Sequence, residues 1–319
     1  TASKALVAGE SDFGSVRRDR LTWDARYVLD RAWADQVQTL VSLQNSDALE
    51  NGRTLRNDGG LRMRDTSYNE HIWQASVQMS KSLAVSEGWS QKLSYGVDLA
   101  STEVTSWFGG SDPAPLVAYV PKKYFPDARD SNAGLYAQSE FSNERWSVTP
   151  GLRFERFAVD VISQDGYAPP ATTPGVSISG VNTSPKLGAL LRVTPQWSVY
   201  GNYASGFRAP NAAQLNGFID PSPGVNARLL PNPDLKPETS KNIELGVRGS
   251  LLGLSLDLAA FTGDFQQLIV DKKFLGGANT VSNPNVFQTI NVDNATIWGF
   301  EVKGNLDWGM WGDAKLNTP

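Results

Sequence analysis

Cysteine is absent from this chain of 319 residues, and histidine occurs once, at His71. The missing thiols exclude disulfide frameworks, thiolate metal sites and cysteine nucleophiles, and one imidazole leaves no clustered histidine metal site. No apolar run of about eighteen residues occurs, so the sequence predicts no membrane-spanning helix. No charged and apolar leader follows Thr1, which is compatible with a signal peptide that has been removed.

Net positive charge and enzyme motifs are missing too. The formal charge is -4, whereas nucleic-acid binders present a basic surface to the phosphates. The sequence contains neither a Walker-type phosphate loop nor a Gly-x-Ser-x-Gly elbow. His71 near Ser67 or Ser76 is a chance adjacency rather than a base beside a nucleophile. We therefore predict a protein that is not an enzyme and does not bind nucleic acid.

Alternating apolar and polar residues dominate what is present. From Trp146 onward, the apolar residues Val148, Leu152 and Phe154 occupy even positions, and polar residues occupy the odd ones. This period of two indicates strands with one apolar and one polar face. The same alternation occurs near 197–204, 242–248, 254–258 and 298–308.

The connections between these strands alternate in length. We predict tight turns at 143–145, 194–196, 249–253 and 308–312. We predict long loops at 46–66, 107–131, 163–183, 207–237 and 273–285. Short turns at one end and long loops at the other are typical of membrane barrels. The sequence therefore predicts an all-β fold, an antiparallel up-and-down transmembrane β-barrel of which about 11 or 12 strands are present; a large soluble β-protein is the alternative.

Charged residues occupy the polar positions of two predicted strands. They are Glu244, Arg248, Glu301, Lys303 and Asp307. We predict that they face a polar lumen, because a charge that faces hydrocarbon costs several kcal/mol. Aromatic residues near the ends of the apolar faces, Trp298 with Trp308 and Trp197 with Tyr203, predict the girdles found at both membrane interfaces.

Four segments of the second half carry a family resemblance. "YGNYASGFRAPNAAQLN", "NPDLKPETSKNIELGVR", "AAFTGDFQQLIV" and "INVDNATIWGFEVKG" resemble the C-terminal half of the barrel of TonB-dependent outer-membrane receptors. The "FRAP" and "NPDL" boxes are similar to the paired boxes of heme and hemoglobin receptors, and so is the stretch "FPDARDSNAGLYAQSEFSNERWSVTPGLRFERF" from Phe125. The box residues are Phe207, Arg208, Ala209, Pro210, Asn232, Pro233, Asp234 and Leu235. The resemblance covers about residue 120 to the end.

The resemblance implies active import across the outer membrane of a Gram-negative bacterium. In that family a ligand binds the outer loops and the upper lumen, an N-terminal plug blocks the pore, and a periplasmic energy-coupling protein of the TonB type pulls on the plug. The loop that carries the two boxes is then expected to bind ligand. The transported ligand is expected to be heme or a heme protein, with a ferric siderophore as the alternative. No resident cofactor or metal is expected. A passive porin and a barrel enzyme are the remaining alternatives.

The resemblance also predicts an incomplete barrel. A family barrel has about 22 strands, so residues 1–319 are expected to form a partial barrel domain without the plug. The chain stops at "KLNTP" within an expected strand, without a closing aromatic residue. Such a piece has two open edges with unsatisfied backbone groups, and we expect no transport from it alone.

One departure from the heme-receptor pattern concerns the iron ligand. Heme receptors of this type carry a histidine between the two boxes, where imidazole can ligate heme iron. Residues 211–231 contain no His, Tyr, Met or Cys, so this loop cannot supply that ligand. His71 is one candidate heme ligand, with an ordinary hydrogen-bonded lumen or rim histidine as its alternative. Tyr124, Tyr167 and Tyr203 are others.

The boxes and one acidic segment also have structural interpretations. Their prolines fix the direction of the chain between two strands. Arg208 is expected to form an ion pair near the rim of the barrel. Asp127 and Asp130 could bind calcium on an extracellular loop, although their spacing matches no defined calcium loop and solvated charge is the simpler interpretation.

Overall fold

The computed structural model describes residues 7–57, 59–113, 116–167, 174–220, 226–251, 253–280 and 282–307. Within them lie eleven long strands: β1 (Val7–Val28), β2 (Gln36–Arg56), β3 (Leu61–Ser86), β4 (Trp89–Pro113), β6 (Asp127–Ser142), β7 (Trp146–Ser163), β8 (Ile178–Arg192), β9 (Trp197–Arg208), β11 (Glu238–Leu251), β12 (Leu254–Gly276) and β13 (Asn285–Leu306). The short elements are β5 (Leu116–Lys122), α1 (Ala212–Asn216) and β10 (Ala227–Leu230).

The long strands form one antiparallel up-and-down sheet in chain order. β5 pairs with the end of β4, and β10 pairs in parallel with the start of β13. β1 and β10 end the order of the described strands, so this sheet is open. The predicted all-β, up-and-down antiparallel fold is confirmed. Among the described residues, no helix is long and apolar enough to cross a membrane.

The two faces of the sheet differ in polarity. Leu135 and Phe154 lie opposite each other on β6 and β7 and are 61% and 54% exposed. On the other face, the Arg153 guanidinium donates to the Asp98 carboxylate at 2.6 Å. Further exposed residues of the apolar face are Leu21, Trp23, Leu43, Trp73, Val199, Leu245, Trp298, Phe300 and Val302. An exposed apolar face of this extent is the surface that a membrane barrel presents to lipid.

The predicted aromatic positions lie on the apolar face where they are described. Trp197 and Tyr203 share the apolar side of β9 with Val199, and Trp298 shares that of β13 with Phe300. Trp308, its predicted companion, and the turn at 308–312 lie outside the described residues.

Short connections at one end of the sheet match the prediction. Residues 143–145 join β6 to β7, where the Asn143 carboxamide oxygen accepts from the backbone N–H of Arg145 at 2.8 Å and of Trp146 at 2.6 Å. Residues 194–196 lie between β8 and β9, and the turn after β11 places Gly253 at a φ of +80°. We call this end the turn end, and the opposite one the loop end.

The predicted long loop at 46–66 is wrong. β2 and β3 continue through it and stay paired as far as Leu55 and Leu61. The Arg53 guanidinium and the Asp65 carboxylate add an ion pair of 2.7 Å between these extensions. Beyond the apolar band both faces meet polar surroundings, so no period of two marks the strand in the sequence. The predicted loop at 107–131 is too long as well: β4 continues to Pro113, and β6 begins at Asp127. The reason is the same lack of a period of two in the sequence.

The segment 209–237, which we call the box loop, is folded rather than irregular in its described parts, 209–220 and 226–237. Its helix α1 begins with a capping box: the Asn211 side chain accepts from the Gln214 backbone N–H, and the Gln214 side chain accepts from the Asn211 backbone N–H. A bridge between Ile219 and Leu229 closes the middle of the loop. β10 then joins the sheet at β13.

Candidate functional site: the box loop and the loop-end pocket

An ion pair closes the base of the box loop. Two guanidinium nitrogens of Arg208 donate to the Glu238 carboxylate, Nε at 2.6 Å and Nη2 at 2.8 Å. Glu238 also accepts from the backbone N–H of Ile269 at 2.6 Å. The hydrogen bond from Arg208 holds the pKa of Glu238 below its ordinary value, although burial opposes this. The two residues that flank the loop are thereby held together, as the ion-pair interpretation of Arg208 predicted.

Helix α1 packs onto the polar face of the sheet at the loop end. Leu215 is fully buried, together with Ala212, against Val104 of β4 and Val159 of β7. Asn216 is fully buried too. Its Oδ1 accepts from the Val176 backbone N–H at 2.7 Å, and its Nδ2 donates to the Val176 carbonyl at 3.0 Å. Both side-chain groups of Asn216 are satisfied, so the burial costs little.

Residues of the second box fix the position of the chain where the box loop leads back to the sheet. The Asn232 backbone N–H donates to the carbonyl of Leu215, and its side chain donates to the carbonyl of Thr289, both at 2.9 Å. Leu235 is 2% exposed within the same core as α1. Pro210 of the first box is fully buried. These contacts assign structural roles to three of the eight box residues.

The remaining box residues have mixed surroundings. The Phe207 ring lies 5.1 Å from that of Phe157, and Ala209 is half-buried. Pro233 and Asp234 are exposed. Of the box residues, Pro233 and Asp234 present their side chains to solvent without a packing role. Ligand binding by the boxes stays a prediction.

A pocket of about 680 Å³ lies on the polar face at the loop end, beside the box loop. Its lining includes Asp12, Glu50, Tyr68, Ser106, Tyr124 and Phe125. The Tyr68 hydroxyl donates to the Glu70 carboxylate at 2.9 Å. The carbonyl of Tyr124 accepts from the Phe218 backbone N–H at 2.7 Å, which ties the pocket wall to the box loop. We call this cavity the loop-end pocket.

The three candidate tyrosines have different surroundings. Tyr124 borders the loop-end pocket and is 37% exposed; burial raises the pKa of its phenol, while Arg64 lowers it. The Tyr167 hydroxyl donates to the Asn216 carbonyl at 2.8 Å, and burial raises its pKa to about 12. Tyr203 lies on the apolar face. Only Tyr124 of the three is placed to meet a ligand in the lumen.

His71 lies on the apolar side of β3, two residues beyond Trp73 toward the loop end. Its Nδ1 is 2.9 Å from the Asn45 carboxamide oxygen, and the pair is exposed. The box loop packs on the opposite face of the sheet. This position matches the interpretation of His71 as a rim residue with ordinary hydrogen bonds. It does not match a histidine that faces the lumen.

The predicted lumen charges lie opposite the apolar residues of their strands. Arg248 donates to the Asp257 carboxylate across β11 and β12 at 2.6 Å. Lys303 and Glu301 form an ion pair of 3.1 Å on β13. Glu244 shares the polar side of β11 with Arg248, and the Asp307 backbone N–H donates to the Gly253 carbonyl at 2.9 Å. That these five residues face a polar lumen stays a prediction.

The acidic residues Asp127 and Asp130 lie at the start of β6, so their predicted position on a loop is wrong. The Asp127 carboxylate accepts from Lys123 Nζ at 2.6 Å, which accounts for one oxygen. In the part of the chain that the structure describes, no group of three or more His, Asp or Glu residues lies close enough to hold a metal ion.

Comparison with known proteins gives the family. The model of the family "TonB dependent receptor-like, beta-barrel" matches residues 4–318. The chain belongs to the TonB-dependent receptor family. Members of this family are outer-membrane β-barrel proteins of Gram-negative bacteria. The chain therefore belongs in the outer membrane of such a bacterium. The predicted family and location are confirmed.

Individual relatives differ in the ligand that their names give. The chain is 24% identical over 315 residues to the vitamin B12 transporter BtuB of Vibrio vulnificus, and 23% identical over 333 residues to the hemin receptor of Yersinia pestis. Each match covers 95% of this chain and 47% of the relative. The chain therefore spans about half the length of these relatives. They are described as transporters or receptors, not as enzymes.

Solved structures show the same fold at low identity. The copper transporter OprC is matched with a TM-score of 0.71 and 16% identity over 92% of this chain and 44% of that one. The hemophore receptor HasR of Serratia marcescens, in complex with its hemophore HasA and heme, is matched with a TM-score of 0.66 and 16% identity, over 93% of this chain and 47% of that one. At this level of sequence identity, the match shows similarity of fold alone.

Proposed function

We propose that this chain is part of a ligand-gated outer-membrane receptor that imports an iron-bearing ligand, specifically heme or a heme protein. Such a receptor works with a periplasmic energy-coupling protein of the TonB type, which acts on a plug. The plug is expected outside residues 1–319. Membership of the family and the names of its relatives support receptor function, and the loop-end pocket supports the ligand class.

The observation that carries the heme proposal is the position of Tyr124. Its phenol borders a pocket large enough for part of a flat aromatic ligand, and phenolate is an established axial ligand of heme iron. The raised pKa of this phenol opposes its ionisation. Coordination to iron reverses that preference, because a bound cation is the largest local charge. The ring of Phe108, 5.5 Å from that of Tyr124, adds an aromatic surface for stacking.

A ferric siderophore is the second candidate. The chain is 32% identical over 154 residues to the probable TonB-dependent siderophore receptor PirA of Acinetobacter baumannii, a match that covers 42% of this chain and 20% of the relative. The pocket also contains carboxylates, Asp12 and Glu50, and polar hydroxyls that could bind the periphery of a hydroxylated ligand. A passive porin is less well supported, because the box loop folds onto the polar face instead of leaving the mouth of the barrel open.

Hemin titration of the complete polypeptide that carries this sequence tests the proposal. In neutral detergent we expect saturable binding, seen in the heme absorbance band, and a loss of the tyrosinate-type spectrum with at least about tenfold weaker binding in Tyr124→Phe. Tyr203→Phe is the matched control, because Tyr203 lies on the apolar face. Absence of hemin binding to the unmodified protein would reject heme, and uptake of iron from ferric siderophores would then be measured in iron-starved cells.

A further inference from the structure

A recess on the apolar face has no part in the proposed import. It has a volume of about 480 Å³ and lies across β3, β4, β6 and β7 toward the loop end. Small residues line its centre: Ser101, Ser131, Ala133 and Ala158. Larger residues surround them: Trp73, Glu103, Arg129 and Arg156. We call it the outer-wall recess.

The recess borders the lipid-facing surface directly. Arg129, Ala133 and Leu135 alternate on the same side of β6, and Leu135 is 61% exposed. On β7, Arg156 lies opposite Ala133, while Phe154 lies opposite Leu135. The guanidinium of Arg156 is therefore one step along the strand from the exposed apolar band. The loop-end pocket and the box loop lie on the other side of the sheet.

The two arginines of the recess differ in their partners. Arg129 is paired with Glu103, with its Nε 2.9 Å from the carboxylate, and Asp160 lies opposite it on β7. Arg156 is exposed and makes no hydrogen bond or ion pair with any residue that the structure describes. Asp160 is four positions from Arg156, about 13 Å along the strand. The surplus positive charge of the recess is therefore at Arg156, the end nearest the apolar band.

We propose that the outer-wall recess binds the phosphate group of an anionic lipid in the surrounding leaflet. Arg156 donates to two phosphate oxygens, for which the planar guanidinium is well suited. The small residues leave room for the headgroup, and Leu135 and Phe154 contact the acyl chains. A lipid is favoured over a soluble anion because the unpaired cation and the exposed apolar band are adjacent, and only a lipid uses both.

The test uses the complete polypeptide, freed of lipid in neutral detergent and examined by native mass spectrometry. The probes are dihexanoyl phosphatidylglycerol, dihexanoyl phosphatidylcholine and inorganic phosphate. We expect the anionic lipid to bind about tenfold more tightly than the zwitterionic one, and Arg156→Gln to remove that preference. Lys241→Gln is the matched control: Lys241 is an exposed cation beyond the apolar band of β11, outside the recess. It should leave the preference intact.

Three results would overturn the proposal. They are equal binding of the two lipids, an unchanged preference in Arg156→Gln, and an equal loss in Lys241→Gln. Inorganic phosphate that competes as well as the anionic lipid would reject the lipid in favour of a soluble anion. Arg156 is exposed and unpaired, so its substitution should leave the melting temperature of the protein unchanged, which is measured on the same samples.

Discussion

The box loop and the loop-end pocket lie side by side, yet their residues are used differently. In the loop, Pro210, Asn216 and Leu235 are buried and bonded within the protein. In the pocket, Tyr68 and Tyr124 keep 41% and 37% of their surface exposed. The residues that identify the family therefore hold a loop in position, whereas Tyr68 and Tyr124, which face the pocket, belong to neither box.

Among the polar contacts of the loop, the largest effect is expected from Asn216→Ala. The change leaves the backbone N–H and carbonyl of Val176 without their partners, and an unsatisfied buried group costs about 1 to 3 kcal/mol. Hydrogen exchange at the Phe218 and Asn232 amides should then become at least about tenfold faster. Asn226→Ala is the control, because its side chain makes one bond to the described residues, to the Asn279 carbonyl. Equal exchange rates in the two variants would show that Asn216 does not anchor the loop.

A smaller effect is expected from Arg208→Ala. It leaves the Glu238 carboxylate, 15% exposed, without its ion-pair partner, but the Arg208 side chain is 47% exposed, so solvent screens the pair. We expect a cost of about 1 kcal/mol to loop closure, measured by the same amide exchange. The control is Arg228→Ala, whose partner Asp220 is 54% exposed, against 15% for Glu238. A larger loss in the control would contradict this ranking.

The same ion pair predicts a pH dependence. Because Arg208 holds the pKa of Glu238 below its ordinary value, the stabilisation is complete above about pH 4.3 and is lost as the pH falls through the lowered pKa. After correction for the intrinsic pH dependence of exchange, loop opening should increase in this acidic range. Arg208→Ala should lack that increase. If the variant kept it in full, another group would be responsible.

The smallest effect is expected from His71→Ala. The residue is on the apolar side of β3, and its bond to Asn45 is exposed, so removal should change stability by less than about 0.5 kcal/mol. Hemin affinity of the complete polypeptide should stay within about twofold of the unmodified value. A lost hemin spectrum in this variant would make His71 an iron ligand and contradict its assignment to the outer side of the sheet.

Strand periodicity predicted the membrane-facing part of the fold well. Around Leu152 and Phe154 one face meets lipid and the other meets polar groups, and this contrast produces alternating apolar and polar residues in the sequence. In 46–66 the contrast is missing, since both faces are polar, and the paired extensions of β2 and β3 could not be distinguished from a loop. The capping box at Asn211 and Gln214 was a readable signal of α1 that the loop prediction did not use.

The candidate site was harder to predict than the fold. The ion-pair role of Arg208 followed from its place near the rim, and the structure supplies Glu238 as the partner. Burial of Asn216 and the separation of Tyr124 from Tyr203 depend on strand register and on how the loop folds back, which link residues far apart in the chain. No local pattern encodes such contacts.

Hydrogen exchange of the complete polypeptide, compared between Leu235→Ala and Asp234→Ala, tests most directly whether the motif residues hold the loop. Leu235 is 2% exposed in the core beneath α1, whereas its neighbour Asp234 is exposed. Leu235→Ala should destabilise loop closure by about 2 to 5 kcal/mol, which accelerates exchange at the Ile219, Leu229 and Asn232 amides by at least about 30-fold. Asp234→Ala should leave these rates unchanged. Similar rates in both variants, or faster exchange in Asp234→Ala, would contradict the account.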